Sequence, residues 1–471
     1  MRQINLFRGW PNPSLHPLPA LTTATSTILS NPLLSAPALS YGPNEGDASV
    51  RAEIARWLSG FYNPPSPVAA SRICITGGAS QNLACLLQVF SDPLYTRNVW
   101  LVVPTYYLAC RIFDDAGFSG KLRGVSEDAE GVDVEELARG LESSEGRAGA
   151  EKGWERERNS ESRWTLKPPR SWRKLYKHII YTTPTFSNPS SKVMSLRRRE
   201  ELVRLARKYD ALIISDDVYD HLQWPVPSSP SPTKIYPDKA LVPRIVDVDR
   251  YLDGGPQDDF GNAVSNGSFS KIVGPGCRVG WAEGTDKFVY GLSQTGSSRS
   301  GGCSSQLTST FIRELLSTNS LQTHIRNVLQ PEYRSRYFTL TAAVRKHLVP
   351  LGVLLTNANG NGNANANTSA NANSGAIAGG YFLWLRLPRG LRASDLAGKA
   401  QEEEDVVIAA GNLFNVAQED GYRTDADEVA LGGAGDFESY VRFCFAWEEE
   451  ERFEEGVERL ARLIRRELER T

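Results

Sequence analysis

Four short runs, ICIT (73–76), VWLVV (99–103), HIIYT (178–182) and ALIIS (211–215), set apolar residues side by side instead of alternating them with polar ones. A strand of that pattern needs cover on both faces, the condition met inside a parallel sheet. Between these runs Leu83, Leu86, Leu87 and Phe90 recur at i, i+3, i+4 and i+7, and Leu202, Leu205, Ala206 and Tyr209 repeat the spacing, so one-sided helices pack on that sheet. The alternation predicts an α/β architecture, a mostly parallel sheet flanked by helices, whose ligands gather at the carboxyl ends of the strands. After about residue 305 the pattern turns more helical, with strand-like GGYFLWLRLP (379–388) and SYVRFCFAW (439–447). A terminal helix there has Phe453, Val457, Leu460 and Ile464 on one face, and together these predict a second, smaller α/β lobe.

Three segments break the pattern. Residues 141–170 are charged and nearly without aliphatic side chains, which predicts a mobile surface insertion. Residues 225–234 (PVPSSPSPTK) form a Pro/Ser loop, and the Asn/Ala tract at 357–375 is too low in complexity to build a packed core.

With 53 Lys+Arg against 55 Asp+Glu the net charge is -2, which gives no global pull toward nucleic acid or an anionic membrane and favours a small-molecule partner. Six scattered cysteines contain no Cys-x-x-Cys pair and point to a reducing compartment. The N-terminus has no apolar signal region and no run is long enough to cross a bilayer, so a soluble, cytoplasmic protein is expected. The five histidines show no metal-ligand spacing, and no metal site is expected.

Several residues at the expected ligand edge carry chemistry. Lys271 lies in SNGSFSKIVGPGCRVGW, and a sheltered lysine there could form an imine. Asp216 ends ALIIS and is followed by Tyr219; it either caps the strand or supplies a carboxylate to a cationic ring. In ICITGGASQNL a strand, two glycines and a helix start aim backbone N–H groups at an anion, without the spacing of a nucleotide P-loop. Tyr106, directly after VWLVVPT, is placed to stack on a flat ring or to join the core. Asn188 follows a further strand within PTFSNP. Arg442, flanked by Val441 and Phe443, needs an anionic partner, either an internal acid or a ligand carboxylate.

In order along the chain, SYGPNEGDASVRAEIARWL, TGGASQNL, PTYY, PTFSNP, SDDVY, SFSKIVGPGCRVGW, GGYFLWLRLP, the Gly411/Phe414 pair and VRFCFAW resemble the class I/II aminotransferases of fold type I, which use pyridoxal 5′-phosphate. The resemblance implies a cofactor held by the Lys271 amine, which then moves the proton released from the substrate. It implies that Asp216 pairs with the ring nitrogen, that Tyr219 and Asn188 bond the phenolic oxygen, and that Tyr106 stacks on the ring. Gly78, Ala79, Ser80, Ser268, Ser270 and Arg278 would surround the phosphate, Tyr41 would reach the phosphate of a neighbouring subunit in a homodimer, and Arg442 would hold the substrate α-carboxylate. Domains of 41–310 (large, cofactor-binding) and 311–471 (small, joined by 1–40) follow from the same resemblance. The spacing from Lys271 to Arg278, the PTFSNP run and LRRREEL are similar to the branch with kynurenine and 2-aminoadipate aminotransferases, which implies aromatic or long-chain amino acids with 2-oxoglutarate and a place in amino-acid metabolism. Two positions depart from the pattern: Asp217, where Glu is common, and Ser191, where Gly is usual. A carbon–sulfur lyase or aminocyclopropane-carboxylate synthase would use the same residues. A ligand-sensing regulator would need a DNA-binding domain ahead of Ile4, for which no room is expected.

Overall fold

The computed structural model describes residues 2–158, 165–226, 238–356, 377–416 and 437–470, with the side chains of 147–158 outside that description. Its centre is an eight-stranded sheet. In spatial order the strands are Ile73–Thr76, Gly280–Glu283, Ala263–Ser268, Ala211–Asp216, His178–Thr182, Asn98–Val103, Leu122–Asp128 and Gly131–Val132. Gly280–Glu283 runs antiparallel to both neighbours and Gly131–Val132 antiparallel to Leu122–Asp128, and the remaining pairs are parallel.

All four apolar runs are strands of this sheet, and both of their faces are covered. On one face Val99, Leu101, Ile179, Leu212 and Ile214 pack with Leu83, Leu86, Leu87 and Phe90 of the helix Ala79–Phe90. On the other, Trp100, Ile180 and Ile213 meet Leu202, Val203 and Ala206 of the helix Leu196–Lys208. Each aliphatic side chain fully buried this way contributes about 1.5–3 kcal/mol relative to exposure. The helix Leu196–Lys208 also buries Arg199 completely, its donors satisfied by the carbonyls of Met194, Pro243 and Pro184 and by the Thr185 hydroxyl.

A four-stranded antiparallel sheet of Leu354–Leu355, Phe382–Arg386, Tyr440–Cys444 and Ala409–Ala410 stands in the C-terminal third. The terminal helix Phe453–Leu468 buries Phe453, Val457, Leu460 and Ile464 as its periodicity requires. The chain's N-terminus returns here: Ile4–Asn5 pairs in parallel with Val406–Val407, and the amide of Cys444 donates to the carbonyl of Leu6 at 2.7 Å.

The stretch 141–170, expected to be a mobile surface insertion, is described in part: a helix spans Val134–Arg158, Leu141 is fully buried on it, and the Lys167 amine donates to the carbonyl of Gln88 at 2.9 Å, while residues 159–164 lie outside the described residues. Its high charge gave no sign of the buried Leu141. In the Pro/Ser stretch Pro225 closes the strand Gln223–Pro225, while the residues from 227 onward, like the Asn/Ala tract, lie outside the described residues. Among the described residues no helix is long and apolar enough to cross a membrane.

The antiparallel strand Gly280–Glu283 fits because Gly267 faces Trp281 in register and has no side chain. A Cβ at Gly267 would lie 2.1 Å from the buried Trp281 indole. Gly267→Ala is expected to destabilise the protein by about 1–3 kcal/mol through overpacking, measured as a lower urea midpoint at unchanged slope. An unchanged midpoint would refute that account.

Candidate active site at the carboxyl edge of the central sheet

Because the long strands run parallel, their carboxyl ends release Gly77–Gly78, Tyr106, Asn188, Asp216 and Lys271 along a single edge. The antiparallel strand adds what a purely parallel sheet would lack. Gly280 pairs with Thr76 on one side and Ser268 on the other, so Arg278, two residues before it, is set beside the Gly77–Gly78 turn. Arg278 Nη2 donates to the Gly77 carbonyl at 2.8 Å and Nη1 to the Pro275 carbonyl at 3.0 Å. Gly78 is at φ +94°, and a Cβ there would lie 3.0 Å from Arg278 Nη2, so glycine is required by conformation and by space. The helix that follows opens with Ala79 and Ser80, whose first-turn N–H groups have no partner within the helix. Ser268 joins from the neighbouring strand; its hydroxyl lies 2.9 Å from that of Ser270 and accepts from the Ser270 amide at 3.2 Å. A guanidinium, two hydroxyls and a helix N-terminus together make a cradle for a dianion such as a phosphate.

Asp216 sits deeper, 8% exposed. Its Oδ2 accepts from the Tyr181 hydroxyl at 2.8 Å, while Oδ1 has no partner among the described residues. Burial pushes its pKa up to about 7 against the lowering effect of the Tyr181 bond. A buried carboxylate with one oxygen unmatched is costly on its own, and a cationic donor placed against it removes that cost.

Lys271 is half-buried, with its Nζ donating to the Gly9 carbonyl at 2.7 Å and lying 5.8 Å and 5.4 Å from the ring centres of Tyr219 and Tyr381. Burial lowers its pKa to about 8, so a useful fraction of the amine is unprotonated near neutrality. Tyr219 is buried, its ring packed edge-on to Tyr381 and Phe382. Tyr106 is half-buried at the start of the helix Tyr107–Phe113, its hydroxyl pushed up to about 12 by burial and then by Asp216.

Arg442 is 3% exposed, and among the described residues no carboxylate makes the internal salt bridge open to it on sequence grounds. Nη1 donates to Asn188 Oδ1 at 2.8 Å, Nη2 donates to the Phe7 carbonyl, and Nε has no partner among the described residues. The Phe382 and Phe414 ring centres lie 4.2 Å and 4.8 Å from the guanidinium carbon. A buried guanidinium held only by neutral acceptors and flanked by rings suits a ligand carboxylate.

Tyr41 differs from the rest: it is 89% exposed, its ring beside Gly301, and it takes no part in these hydrogen bonds. Sequence reasoning missed Tyr181, although a tyrosine one position from the end of the HIIYT strand was a usable signal. It also missed the segment Phe7–Gly9, whose carbonyls meet both cations; backbone groups leave no mark in composition. Asp217, the departure from the usual Glu, turns into the sheet, where the hydroxyls of Ser215 and Ser265 donate to it.

In cofactor-free protein, Lys271 should be trinitrophenylated by trinitrobenzenesulfonate, its amine displacing sulfite from the ring, with a rate that rises through pH of about 8, because burial disfavours the charged amine and deprotonation begins earlier than for a solvated lysine. Peptide mapping of the modified site reads this directly. A midpoint near that of the surface lysines would refute it.

Known proteins are similar to this chain to different degrees. The uncharacterized protein YER152C of Saccharomyces cerevisiae is 32% identical over 434 residues, 88% of this chain and 89% of that protein. Aromatic-amino-acid aminotransferase 1 of Thermococcus litoralis is 25% identical over 99% of this chain and 89% of its own length. Among solved structures, LysN, an alpha-aminoadipate aminotransferase of Thermus thermophilus complexed with N-(5′-phosphopyridoxyl)-L-leucine, superposes with a TM-score of 0.67 at 24% identity, covering 100% of this chain and 94% of that one. The sequence profile described as aminotransferase class I and II matches residues 12–460, and the chain accordingly belongs to the class I and II aminotransferase family.

Proposed function

We propose that Lys271, Asp216 and Arg442 are the working groups of a homodimeric, pyridoxal 5′-phosphate-dependent aminotransferase that moves an amino group from an aromatic or long-chain L-amino acid to a 2-oxo acid such as 2-oxoglutarate. That the protein is a pyridoxal 5′-phosphate-dependent aminotransferase follows from its family; the residue roles, the substrates and the homodimer are the further reading. The observation that carries it is the pair of orphaned buried atoms, Asp216 Oδ1 and Arg442 Nε, with the Lys271 amine in the same constellation. The residues fit the cofactor, since the cradle of Gly78, Ala79, Ser80, Ser268, Ser270 and Arg278 suits a phosphate and Asp216 Oδ1 has no partner among the described residues.

When bound, pyridoxal 5′-phosphate supplies an aldehyde that condenses with amines and a ring that accepts the electrons left by a breaking Cα–H bond. The Lys271 Nζ would hold the cofactor and take up the proton released from the substrate Cα; its depressed pKa suits both tasks. Asp216, steadied by Tyr181, would pair with the ring nitrogen. Tyr219 and Asn188 would bond the phenolic oxygen, and Tyr106 would stack on the ring. Arg442 receives the α-carboxylate at its Nε and Nη edge and so sets which Cα bond faces Lys271. The aromatic surround of Phe382, Phe414, Tyr107 and Tyr381 supports aromatic and long apolar side chains as substrates.

The homodimer reading rests on a stretch of exposed apolar side chains, Leu29, Leu33, Leu39 and Tyr41, of which Leu33 is 85% and Tyr41 89% exposed. An apolar patch of this kind marks an interface, and a second copy would bring Tyr41 to the partner's phosphate cradle. The six free thiols support a reducing, cytoplasmic compartment. The named enzymes among the relatives above are aminotransferases, which does not favour the lyase reading.

The deciding experiment incubates purified protein with a panel of amino acids, with and without 2-oxoglutarate. Glutamate is expected only when both are present, and Lys271→Ala should lose turnover by at least about 10⁴-fold together with the visible cofactor band. A ketone product formed steadily without any oxo acid would overturn transamination. For the assembly, sedimentation should give a dimer that the double variant Leu33→Asp/Leu39→Asp dissociates; a wild-type monomer at micromolar concentration would reject it.

A further inference from the structure

Arg442 is held by Asn188 of the turn 187–192 and by the ring of Phe382 in the neighbouring strand. Asn188 Oδ1 accepts from Nη1 at 2.8 Å, while on the other side the Phe382 ring centre lies 4.2 Å from the guanidinium carbon. The Ser191 hydroxyl donates to the carbonyl of that same Phe382 at 2.7 Å. The turn is closed internally by Ser191 N–H to the Ser187 carbonyl at 2.6 Å and Ser187 N–H to the Lys192 carbonyl at 3.0 Å. Asn188 and Ser191 are therefore parts of one rigid unit. Ser191 adopts φ +56°, a left-handed conformation that costs serine energy and glycine almost none. The hydroxyl is what serine adds there, and it spans from the central-sheet side to the strand Phe382–Arg386, which pairs with the strand bearing Arg442.

We propose that Ser191 is a positioning residue for the carboxylate clamp: its hydroxyl fastens the Asn188 turn to the Phe382 carbonyl, fixing the spacing of Asn188 and Phe382, two of the groups that hold the Arg442 guanidinium. A guanidinium fixed in plane can offer two parallel N–H bonds to a carboxylate, whereas one free to tilt offers a single bond at a time. The inference rests on the reading of Arg442 as the clamp.

The test uses full-length holoprotein with Ser191→Ala and Ser191→Gly, assayed with the best donor of the amino-acid panel and 2-oxoglutarate. Both variants lose the hydroxyl, but only glycine also relieves the left-handed backbone, so their melting temperatures should separate, glycine above alanine. Both are expected to raise KM for donor and acceptor by roughly three- to tenfold, the loss of about one hydrogen bond, with kcat within about twofold and the cofactor absorbance unchanged. Wild-type KM values in both variants, or a defect confined to the less stable alanine variant, would overturn the proposal. Arg442→Ala in the same assay separates the two readings, since it should raise KM by about 100-fold or more. If it does not, the clamp itself is wrong; if it does while both Ser191 variants match wild type, the Ser191 inference alone falls.

Discussion

Three ionisable groups withdrawn from solvent at one sheet edge, none in a salt bridge among the described residues, set the terms for the rest of this structure. Among those residues Asp216 keeps an unmatched oxygen, Arg442 an unmatched Nε, and the Lys271 amine donates to a neutral carbonyl. Leaving such groups buried costs several kcal/mol that the fold alone does not recover, because pairing them with one another would consume the charges that a ligand has to meet. Their cost is visible in the carboxyl raised to about 7 and the amine lowered to about 8. A site of this kind holds its shape through its neutral surroundings: Tyr181 against Asp216, Asn188 and the Phe7 carbonyl against Arg442, the Gly9 carbonyl against Lys271.

Those surroundings are rigid because they hang from elements packed on both faces. Helices on each side of the central sheet pin the strands, so the side chains leaving their ends have little freedom to relax toward each other. The strand Gly280–Glu283, antiparallel to both its neighbours, has a distinct use. By pairing with both Thr76 and Ser268 it draws Arg278 to the Gly77–Gly78 turn, and the glycines at 267 and 78 leave room for the indole and the guanidinium that come with it.

The parallel strands and their helices were legible because burial on both faces and one-sided periodicity are local patterns that each segment carries in full. Lys271, Asp216 and Arg442 were legible as well, each a charge set in or against an apolar run. The strand Ala263–Ser268 was not: it reads AVSNGS, yet all six residues are buried, with Ser265 and Asn266 satisfied by Asp217, Asn82 and the Ala79 carbonyl from elsewhere in the chain. Arg199 was hidden for the same reason, since four acceptors from three separate segments make its burial tolerable and none is near it in helical spacing. Ser191 could be noted as a departure from glycine, but its bond to Phe382 joins residues 191 positions apart.

By itself, then, the sequence determined the α/β architecture, the edge where ligands gather and the family, because periodicity, strand-end residues and ordered motifs are written along the chain. Only the tertiary structure decided which neutral groups steady those charges, that Arg442 has no acid within reach among the described residues, and that the N-terminal segment lies against both cations. The physical reason is that the partners of a buried polar group are chosen by proximity in space, and any backbone carbonyl can serve, so residue type does not announce which one will.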